Sequence, residues 1–187
     1  MKIDLNGRNV VVVGAGASGI AAARLAHRAG ARVWLNDIVR REIPGLPPQV
    51  QTVWGEHPEK LFRAADLIVM SPGVPPLAPV AAAQAAGVEV IAEVELALRG
   101  IDAAIGAVTG TNGKSTTVAL LGELLASTGH PVFAGGNLGT PLSDAVDTPA
   151  GGPDGRISLE LSSFQLERTF SLHAQVAALL NLTEDHL

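Results

Sequence analysis

Two glycine-rich turns constrain the fold of this chain more than any other feature of its sequence. The first is GAGASG at 14–19, and the second is TGTNGKST at 109–116. Each follows a short apolar run and precedes a stretch of helix-forming residues. Where a strand passes through a glycine turn into a helix, the helix N-terminus presents free N–H groups and a positive dipole end to an anion. The sequence therefore predicts two strand–turn–helix units that can each bind a phosphate group.

The segments around these turns alternate between strand and helix patterns. Strands are predicted within 9–14, 31–37, 65–73 and the beginning of 88–98, and helices over 18–30, 78–87 and the end of 88–98. The pattern restarts with a strand over 103–110, a helix over 115–129 and strands within 131–139, 156–164 and 174–186. We expect the apolar positions of the 115–129 helix to lie largely on one face. Such alternation predicts parallel sheets covered by helices.

The predicted fold class is α/β, with a Rossmann-like N-terminal domain followed by an incomplete P-loop ATPase-type α/β domain. We expect the first domain to cover residues 1–98 and the second to cover 99–187. The second is expected to be incomplete because the sequence stops just after a strand, whereas a parallel strand is normally followed by a crossover connection.

The composition excludes several classes of protein. Hydrophobic residues make up 47% of the chain and charged residues 17%, proportions typical of a folded globular protein. The formal net charge of -5 does not favour a nucleic acid partner, and the absence of cysteine excludes disulfides and thiolate metal sites. The N-terminal residues lack a signal-peptide pattern, and no apolar run approaches the roughly 18–20 residues of a membrane span. We expect a cytoplasmic monomer that binds neither nucleic acid nor membranes.

The first turn matches G-x-G-x-x-G at Gly14, Gly16 and Gly19. These glycines permit a tight turn, a close approach of the backbone to phosphate and close packing of helix on strand. Asp37 ends the next strand, where a carboxylate can meet a ribose hydroxyl or a base, and the SPG segment at 71–73 ends another strand at the same edge. Three interpretations stay open: a turn without a ligand, a dinucleotide cofactor site, and a site for another nucleotide such as a UDP-sugar.

The second turn contains the Gly113-Lys114-Ser115 core of a P-loop. Its backbone N–H groups would surround phosphates, the lysine would reach their oxygens, and the serine hydroxyl would ligate Mg²⁺. The spacing is a variant, because Val108 stands where the usual pattern has glycine and Gly110 lies only three residues before Gly113. The alternative is a glycine-rich turn with a solvated lysine.

A glutamate and a histidine in the C-terminal part of the chain are candidate metal ligands. Glu160 ends a predicted strand that is expected to lie beside the P-loop strand, where a carboxylate can bind Mg²⁺ directly or through water. His186, in NLTEDH, ends the last predicted strand at the same edge. Alone, each residue is more often solvated or structural than a metal ligand, and both gain weight because their strands end at the same predicted edge as the P-loop.

The segments TGTNGKST, GGNLG, LELSSFQLE and NLTEDH, preceded by GAGASG, ND and SPG, together resemble the Mur ligase family along essentially the whole chain. The LELSSFQLE segment is similar to the branch of the family that adds D-glutamate. The resemblance implies a cytoplasmic enzyme of peptidoglycan synthesis that joins D-glutamate to UDP-N-acetylmuramoyl-L-alanine through an acyl phosphate. It implies ATP and Mg²⁺ as the cofactors, and a Rossmann-like domain that binds UDP and not NAD.

The resemblance also implies roles for individual residues. The UDP substrate would contact Gly14, Ala15, Gly16, Ala17, Ser18, Gly19, Asp37, Ser71, Pro72, Gly73, Asn137 and Ser162. ATP would contact Gly110, Thr111, Asn112, Gly113, Lys114, Ser115 and Thr116. The metal ligands would be Ser115, Glu160 and His186, and the catalytic residues would be Lys114, Asn137 and His186.

Some features depart from the family pattern. Ser18 replaces a threonine of many relatives, and Ile38 stands where some carry a hydroxyl residue that contacts uracil. The family uses a carbamylated lysine downstream of the histidine and a C-terminal domain for D-glutamate, and the three lysines of this chain, at positions 2, 60 and 114, all precede His186. We therefore expect these 187 residues alone to be inactive.

Three other functions stay open at this point. The first is a related ligase that adds L-alanine or polyglutamate. The second is a non-catalytic nucleotide-binding module, and the third is an NAD-dependent enzyme that uses the first turn.

Overall fold

A computed structural model describes residues 3–183 and contains two parallel β-sheets. The five strands of the first sheet are β1 Asn9–Val13, β2 Arg32–Asp37, β3 Gln51–Trp54, β4 Leu67–Met70 and β5 Glu89–Ala92. Their order is β3-β2-β1-β4-β5, and every neighbouring pair is parallel. From β1 the chain first adds strands on one side of the sheet, β2 and β3, and then on the other, β4 and β5. Ligands of open α/β sheets bind at such a switch point, beyond the carboxyl ends of the strands.

Three helices connect strands of the first sheet, α1 Ala17–Arg28, α2 Glu59–Arg63 and α3 Ala78–Ala85, and a fourth, α4 Glu93–Leu98, follows β5 and leads to the second sheet. Strand β1 shows why helices cover both faces. Val10 and Val12 pack into one apolar cluster, whereas Val11 and Val13 pack into another on the opposite face. Because successive side chains of a strand point to opposite faces, a run of buried valines requires a covered sheet on both sides.

The second sheet has four parallel strands in the order β7-β8-β6-β9. They are β6 Ala104–Thr109, β7 Val132–Gly136, β8 Arg156–Glu160 and β9 Val176–Leu179. Helix α5 Lys114–Ala126 follows β6, and the short helix α6 Ser163–Leu166 follows β8; two 3₁₀ turns, Leu142–Asp144 and Pro149–Gly151, lie between β7 and β8. The second glycine turn thus leaves the carboxyl end of an interior strand.

The α/β fold class and the parallel sheets are confirmed, and three details of the sequence analysis are corrected. The short elements β3, α2 and α6 were not predicted. The strand expected within 156–164 ends at Glu160, because Ser162 begins helix α6. The prediction for helix α5 was wrong in part: Leu120 and Leu124 are 60% and 59% exposed, so its apolar residues occupy more than one face.

The two halves of the chain share one apolar core. The cluster that contains Val10 and Val12 of the first sheet also contains Ile105, Ile157 and Leu159 of the second. The division at residue 98 stays a prediction; it lies at the end of α4, before β6 begins at Ala104. None of the helices in residues 3–183 has the length and apolar character needed to cross a membrane.

A buried carboxyl group lies where α4 meets the Leu142–Asp144 turn. Glu93 is 1% exposed, and its Oε1 accepts a hydrogen bond of 2.7 Å from the Ser143 backbone N–H. Neither the other carboxyl oxygen nor the Ser143 hydroxyl has a hydrogen-bond partner among the described residues. Burial raises the pKa of Glu93 to about 7, against the opposing effect of the neighbouring Ser143. The folded protein therefore favours the protonated carboxyl.

We expect this carboxyl to make the protein less stable as the pH rises. Because the folded pKa of Glu93 lies above its ordinary value of 4.5, its contribution to stability is complete below pH 4.5 and is lost as the pH rises through 7. The free energy of unfolding, measured by urea denaturation from pH 4.5 to 8, should fall by roughly 3 kcal/mol more in the wild type than in Glu93→Gln. The exposed Glu59 offers a control, since Glu59→Gln should keep the wild-type pH profile. Equal pH profiles for Glu93→Gln and the wild type would contradict this account.

Candidate functional site

The first glycine turn is closed by contacts that exclude larger side chains at two of its three glycines. Gly14 has φ +94°, and a Cβ there would lie 2.8 Å from a methyl group of Val74. A Cβ on Gly19 would lie 1.7 Å from the Gly14 carbonyl oxygen. The Ser71 hydroxyl donates a 3.2 Å hydrogen bond to that same oxygen. Packing inside the protein therefore requires glycine at both positions.

Gly16 differs from the other two glycines of this turn. It precedes helix α1 with φ -79°, an ordinary value, and a Cβ there would have no atom within 4 Å. No described residue accepts a hydrogen bond from the backbone N–H groups of the next three residues, Ala17, Ser18 and Gly19. The fold alone does not require glycine at position 16, whereas a phosphate held by these N–H groups needs the backbone to be approachable there.

Asp37 holds the first turn from the end of β2. Its two carboxylate oxygens accept backbone hydrogen bonds, one of 2.7 Å from Ala15 and one of 2.9 Å from Val39. Burial acts to raise the pKa of Asp37, but these two hydrogen bonds, with Arg41 and His57 nearby, hold it below its ordinary value. The carboxylate is therefore ionised and fixes the turn. Its contact with a ligand stays a prediction.

A cavity of about 480 Å³ lies beside this turn, at the carboxyl edge of the first sheet. Its walls come from both halves of the chain: Met70, Ser71, Pro72, Gly73, Val74, Pro75, Pro76 and Ala92 on one side, and Phe164, Gln165, Glu167 and Arg168 on the other. Its volume lies within the range of small-molecule binding sites. The structure thus brings the predicted SPG residues to a cavity.

Gln165, one of the residues that line this cavity, has a side chain fixed by hydrogen bonds. Its Oε1 accepts a 2.9 Å hydrogen bond from the Ser162 backbone N–H, and the Ser162 hydroxyl in turn accepts one from the Gln165 N–H. This reciprocal pair caps helix α6 and orients the glutamine side chain. The Gln165 Nε2 is buried and has no hydrogen-bond partner among the described residues. Ser162 is primarily a helix cap, and its predicted contact with substrate is untested.

The second glycine turn presents the N-terminus of α5. Gly113 precedes the helix with φ +87°, and the first backbone N–H to donate within this helix start is that of Thr117, to the Gly113 carbonyl. No described residue accepts from the N–H groups of Gly113, Lys114, Ser115 and Thr116. The Lys114 ammonium donates hydrogen bonds of 2.8 and 3.0 Å to the Gly110 and Thr111 carbonyl oxygens. Four free N–H groups and a cation thus converge on one turn.

Two further predicted residues meet beside this turn. Glu160 pairs in register with Val108 of β6, which places it at the carboxyl end of the strand next to the second turn, and it is 1% exposed. Its Oε1 accepts a 3.1 Å hydrogen bond from the Asn137 side chain. Residues 3–183 contain no group of three or more His, Asp, Glu or Cys side chains that could enclose a metal.

This arrangement fits Mg²⁺ bound together with phosphate, because Mg²⁺ commonly takes one or two protein oxygens and completes its shell with phosphate oxygens and water. Glu160 and the Ser115 hydroxyl are suitable ligands of this kind. The other predicted metal ligand, His186, lies outside the described residues.

Family models match most of the chain. Residues 8–92 match the model described as "Mur ligase MurD-like, N-terminal domain", and residues 108–187 match "Mur ligase middle domain". The chain belongs to the Mur ligase family. The similarity includes both glycine turns, the Ser71–Gly73 segment and the strand that carries Glu160.

Curated Mur ligases resemble the chain along its whole length. A UDP-N-acetylmuramoylalanine--D-glutamate ligase of Geobacter metallireducens is 45% identical, over 99% of this chain and 42% of the relative. One of Anaeromyxobacter dehalogenans is 49% identical, over 98% of this chain and 41% of the relative. The chain therefore spans about two fifths of the length of these relatives.

Solved Mur ligase structures share the fold. The UDP-N-acetylmuramate:L-alanyl-gamma-D-glutamyl-meso-diaminopimelate ligase of Neisseria meningitides superposes with a TM-score of 0.58 at 19% identity, covering 96% of this chain and 62% of that structure. A murein peptide ligase of Psychrobacter arcticus superposes with a TM-score of 0.57 at 18% identity, covering 96% of this chain and 44% of that structure. At this level of identity the comparison establishes the fold alone.

Substitution of two glycines of the first turn by alanine should have very different effects on stability. Gly19→Ala should lower the free energy of unfolding by about 3 kcal/mol or prevent folding, because the new methyl group would overlap the Gly14 carbonyl. Gly16→Ala should change it by less than about 1 kcal/mol, since its Cβ would meet open space. Thermal denaturation followed by circular dichroism measures both. A large loss of stability in Gly16→Ala, or none in Gly19→Ala, would contradict the geometry of the turn.

Proposed function

We propose that this chain binds a UDP-linked substrate at the first turn and Mg²⁺-ATP at the second, as part of a ligase that adds D-glutamate to UDP-N-acetylmuramoyl-L-alanine. The observation that carries the proposal is the presence of two helix N-termini with free backbone N–H groups in one chain, the second bearing Lys114 and Ser115. The D-glutamate specificity is supported by the names of relatives at 45% and 49% identity.

The arrangement of β8 and α6 supports a single substrate that reaches from one turn to the other. Glu160 lies beside the second turn, and Gln165, five residues later, lies in the wall of the cavity next to the first turn. A substrate whose diphosphate lies at the first turn and whose body fills the cavity would extend toward Glu160. This favours a UDP-linked substrate with a reactive far end over a dinucleotide cofactor.

The residues of the second turn suit phosphoryl transfer to a carboxylate. The N–H groups of 113–116 would hold the phosphates, and Lys114 would exchange its two carbonyl partners for phosphate oxygens. Mg²⁺, held by Ser115 and Glu160, would supply charge neutralisation. Positioning and electrostatic stabilisation account for most of the catalysis of such reactions. The activated carboxyl would then accept the amine of D-glutamate.

Asn137 orients the candidate metal ligand in this proposal. Its side-chain N–H group donates to Glu160, and its own backbone N–H donates a 3.0 Å hydrogen bond to the Glu160 carbonyl oxygen. The first bond holds the Glu160 carboxylate, and the second fixes the backbone of Asn137 beside Glu160. Asn137 therefore acts on Glu160 in addition to any contact with substrate.

We expect the two turns to bind different nucleotides independently. In titration calorimetry of the 187-residue chain, Gly16→Ala should weaken the binding of UDP-N-acetylmuramoyl-L-alanine at least ten-fold and leave the affinity for Mg²⁺-ATP unchanged. Lys114→Ala should weaken the binding of Mg²⁺-ATP and leave that of the UDP compound unchanged, because it removes the cation of the second turn only. Each variant serves as the folding control of the other.

NADH is the third ligand of this experiment. Binding of NADH in place of the UDP compound would overturn the assignment of the first turn. Failure of the wild-type chain to bind Mg²⁺-ATP would overturn that of the second.

The amino acid added is tested by product analysis. The full-length protein, supplied with ATP, UDP-N-acetylmuramoyl-L-alanine and a panel of amino acids, should release phosphate and form an amide only with D-glutamate. A product with another amino acid would identify a different ligase of the family. Nucleotide binding without any phosphate release would identify a non-catalytic module.

A further inference from the structure

The segment that follows β9 crosses the second glycine turn and is hydrogen-bonded to it. The Asn181 side chain pairs with the backbone of Asn112: its Oδ1 accepts a 2.8 Å hydrogen bond from the Asn112 N–H, and its Nδ2 donates one of 2.9 Å to the Asn112 carbonyl oxygen. The Asn181 carbonyl oxygen also accepts a 3.1 Å hydrogen bond from the Thr111 N–H. One residue thus binds the backbone of two successive residues of the turn, Thr111 and Asn112.

The close approach of this segment explains the glycine at position 110. Gly110 has φ +137°, and a Cβ there would lie 3.0 Å from the Asn181 carbonyl oxygen and 3.1 Å from its backbone nitrogen. The neighbouring residues continue the contact, since the Leu180 N–H donates to the Thr109 carbonyl and the Thr183 N–H donates to the Thr111 hydroxyl. The turn is therefore held along its entire first half.

These contacts divide the N–H groups of the turn into two sets. Those of Thr111 and Asn112 are used by Asn181, whereas those of the four residues from Gly113 to Thr116 have no acceptor among the described residues. A phosphate-binding turn works best when the N–H groups that meet the anion are free and the rest of the loop is already fixed, because ordering a loop on binding costs conformational entropy.

We propose that Asn181 is a positioning residue that fixes the first half of the turn, so that the N–H groups of 113–116 alone receive the ATP phosphates. This inference rests on the proposed ATP site and reassigns Thr111 and Asn112 from phosphate binding to loop support. Asparagine suits the position because its side chain supplies both an acceptor for the N–H and a donor for the carbonyl oxygen of one residue, Asn112.

The test compares Asn181→Ala with Leu182→Ala. Leu182 is adjacent and 78% exposed, so its truncation controls for a change in this segment without loss of a hydrogen bond. Asn181→Ala should weaken Mg²⁺-ATP binding to the 187-residue chain about ten-fold, the equivalent of about 1.4 kcal/mol. Its affinity for UDP-N-acetylmuramoyl-L-alanine and its melting temperature should match the wild type, because a merely structural effect would change them as well.

Amide hydrogen exchange, followed by NMR without nucleotide, gives a second measurement that does not depend on the ATP site. In the wild type the Thr111 and Asn112 amides should exchange slowly and those of 113–116 rapidly, and Asn181→Ala should accelerate the first two. Rapid exchange of Thr111 and Asn112 in the wild type, or unchanged ATP affinity in Asn181→Ala, would overturn the inference. A wild-type chain with the expected exchange pattern but no ATP binding would instead contradict the proposed function.

Discussion

The placement of the two halves of this chain depends on two buried glutamate side chains of helix α4. Glu93 accepts the backbone N–H of Ser143, and Glu95 accepts those of Phe170 and Ser171 at 2.7 and 2.9 Å. Both glutamates are almost fully buried, at 1% and 2% exposure. A buried N–H that loses its acceptor costs about 1–3 kcal/mol, and the bond from Ser143 is of this kind. The bonds from Phe170 and Ser171 are partly buried and add to the same arrangement of the halves.

This junction determines the shape of the candidate substrate cavity. The segment that Glu95 holds follows α6 directly, and the Ala92 N–H donates a 3.0 Å hydrogen bond to the Arg168 carbonyl oxygen at the same place. The wall formed by α6 is therefore fixed against the edge of the first sheet. Because Glu160 and Gln165 belong to the continuous segment β8–α6, the same contacts also set the position of the second turn relative to the cavity. The proposed function, in which one substrate is bound at one turn and activated at the other, requires a fixed distance of this kind.

The sequence predicted the elements that carry strong local patterns. The buried valine run of β1, the switch from strand to helix within 88–98 and both glycine turns were all assigned correctly, because apolar runs and glycines determine them locally. Strand β3 escaped prediction since its Gln51 and Thr52 are exposed and show no apolar alternation. Helix α6 is only four residues long, although the Ser162–Gln165 capping box was a usable signal for its start.

The support of the second turn could not be predicted in this way. Asn181 acts through hydrogen bonds to the backbone of Asn112, which lies 69 residues away along the chain. No spacing rule identifies such a pair, because any side chain of suitable chemistry can reach a peptide group that the fold brings near. The ligand-contacting residues form recognisable patterns, whereas the residues that hold them in place depend on the tertiary structure.

The glycines of the two turns show how much a glycine pattern by itself says about ligands. Gly14, Gly19 and Gly110 are required by contacts within the protein, with the Ser71 side chain, the Gly14 carbonyl and the Asn181 backbone respectively. These would be glycines in a turn of this shape even if it bound nothing. Gly16 and Gly73 have open space where a Cβ would stand and no left-handed backbone that would favour glycine. The information about a ligand therefore lies in the glycines that the fold does not explain, and both of them lie beside the ligand site proposed at the first turn.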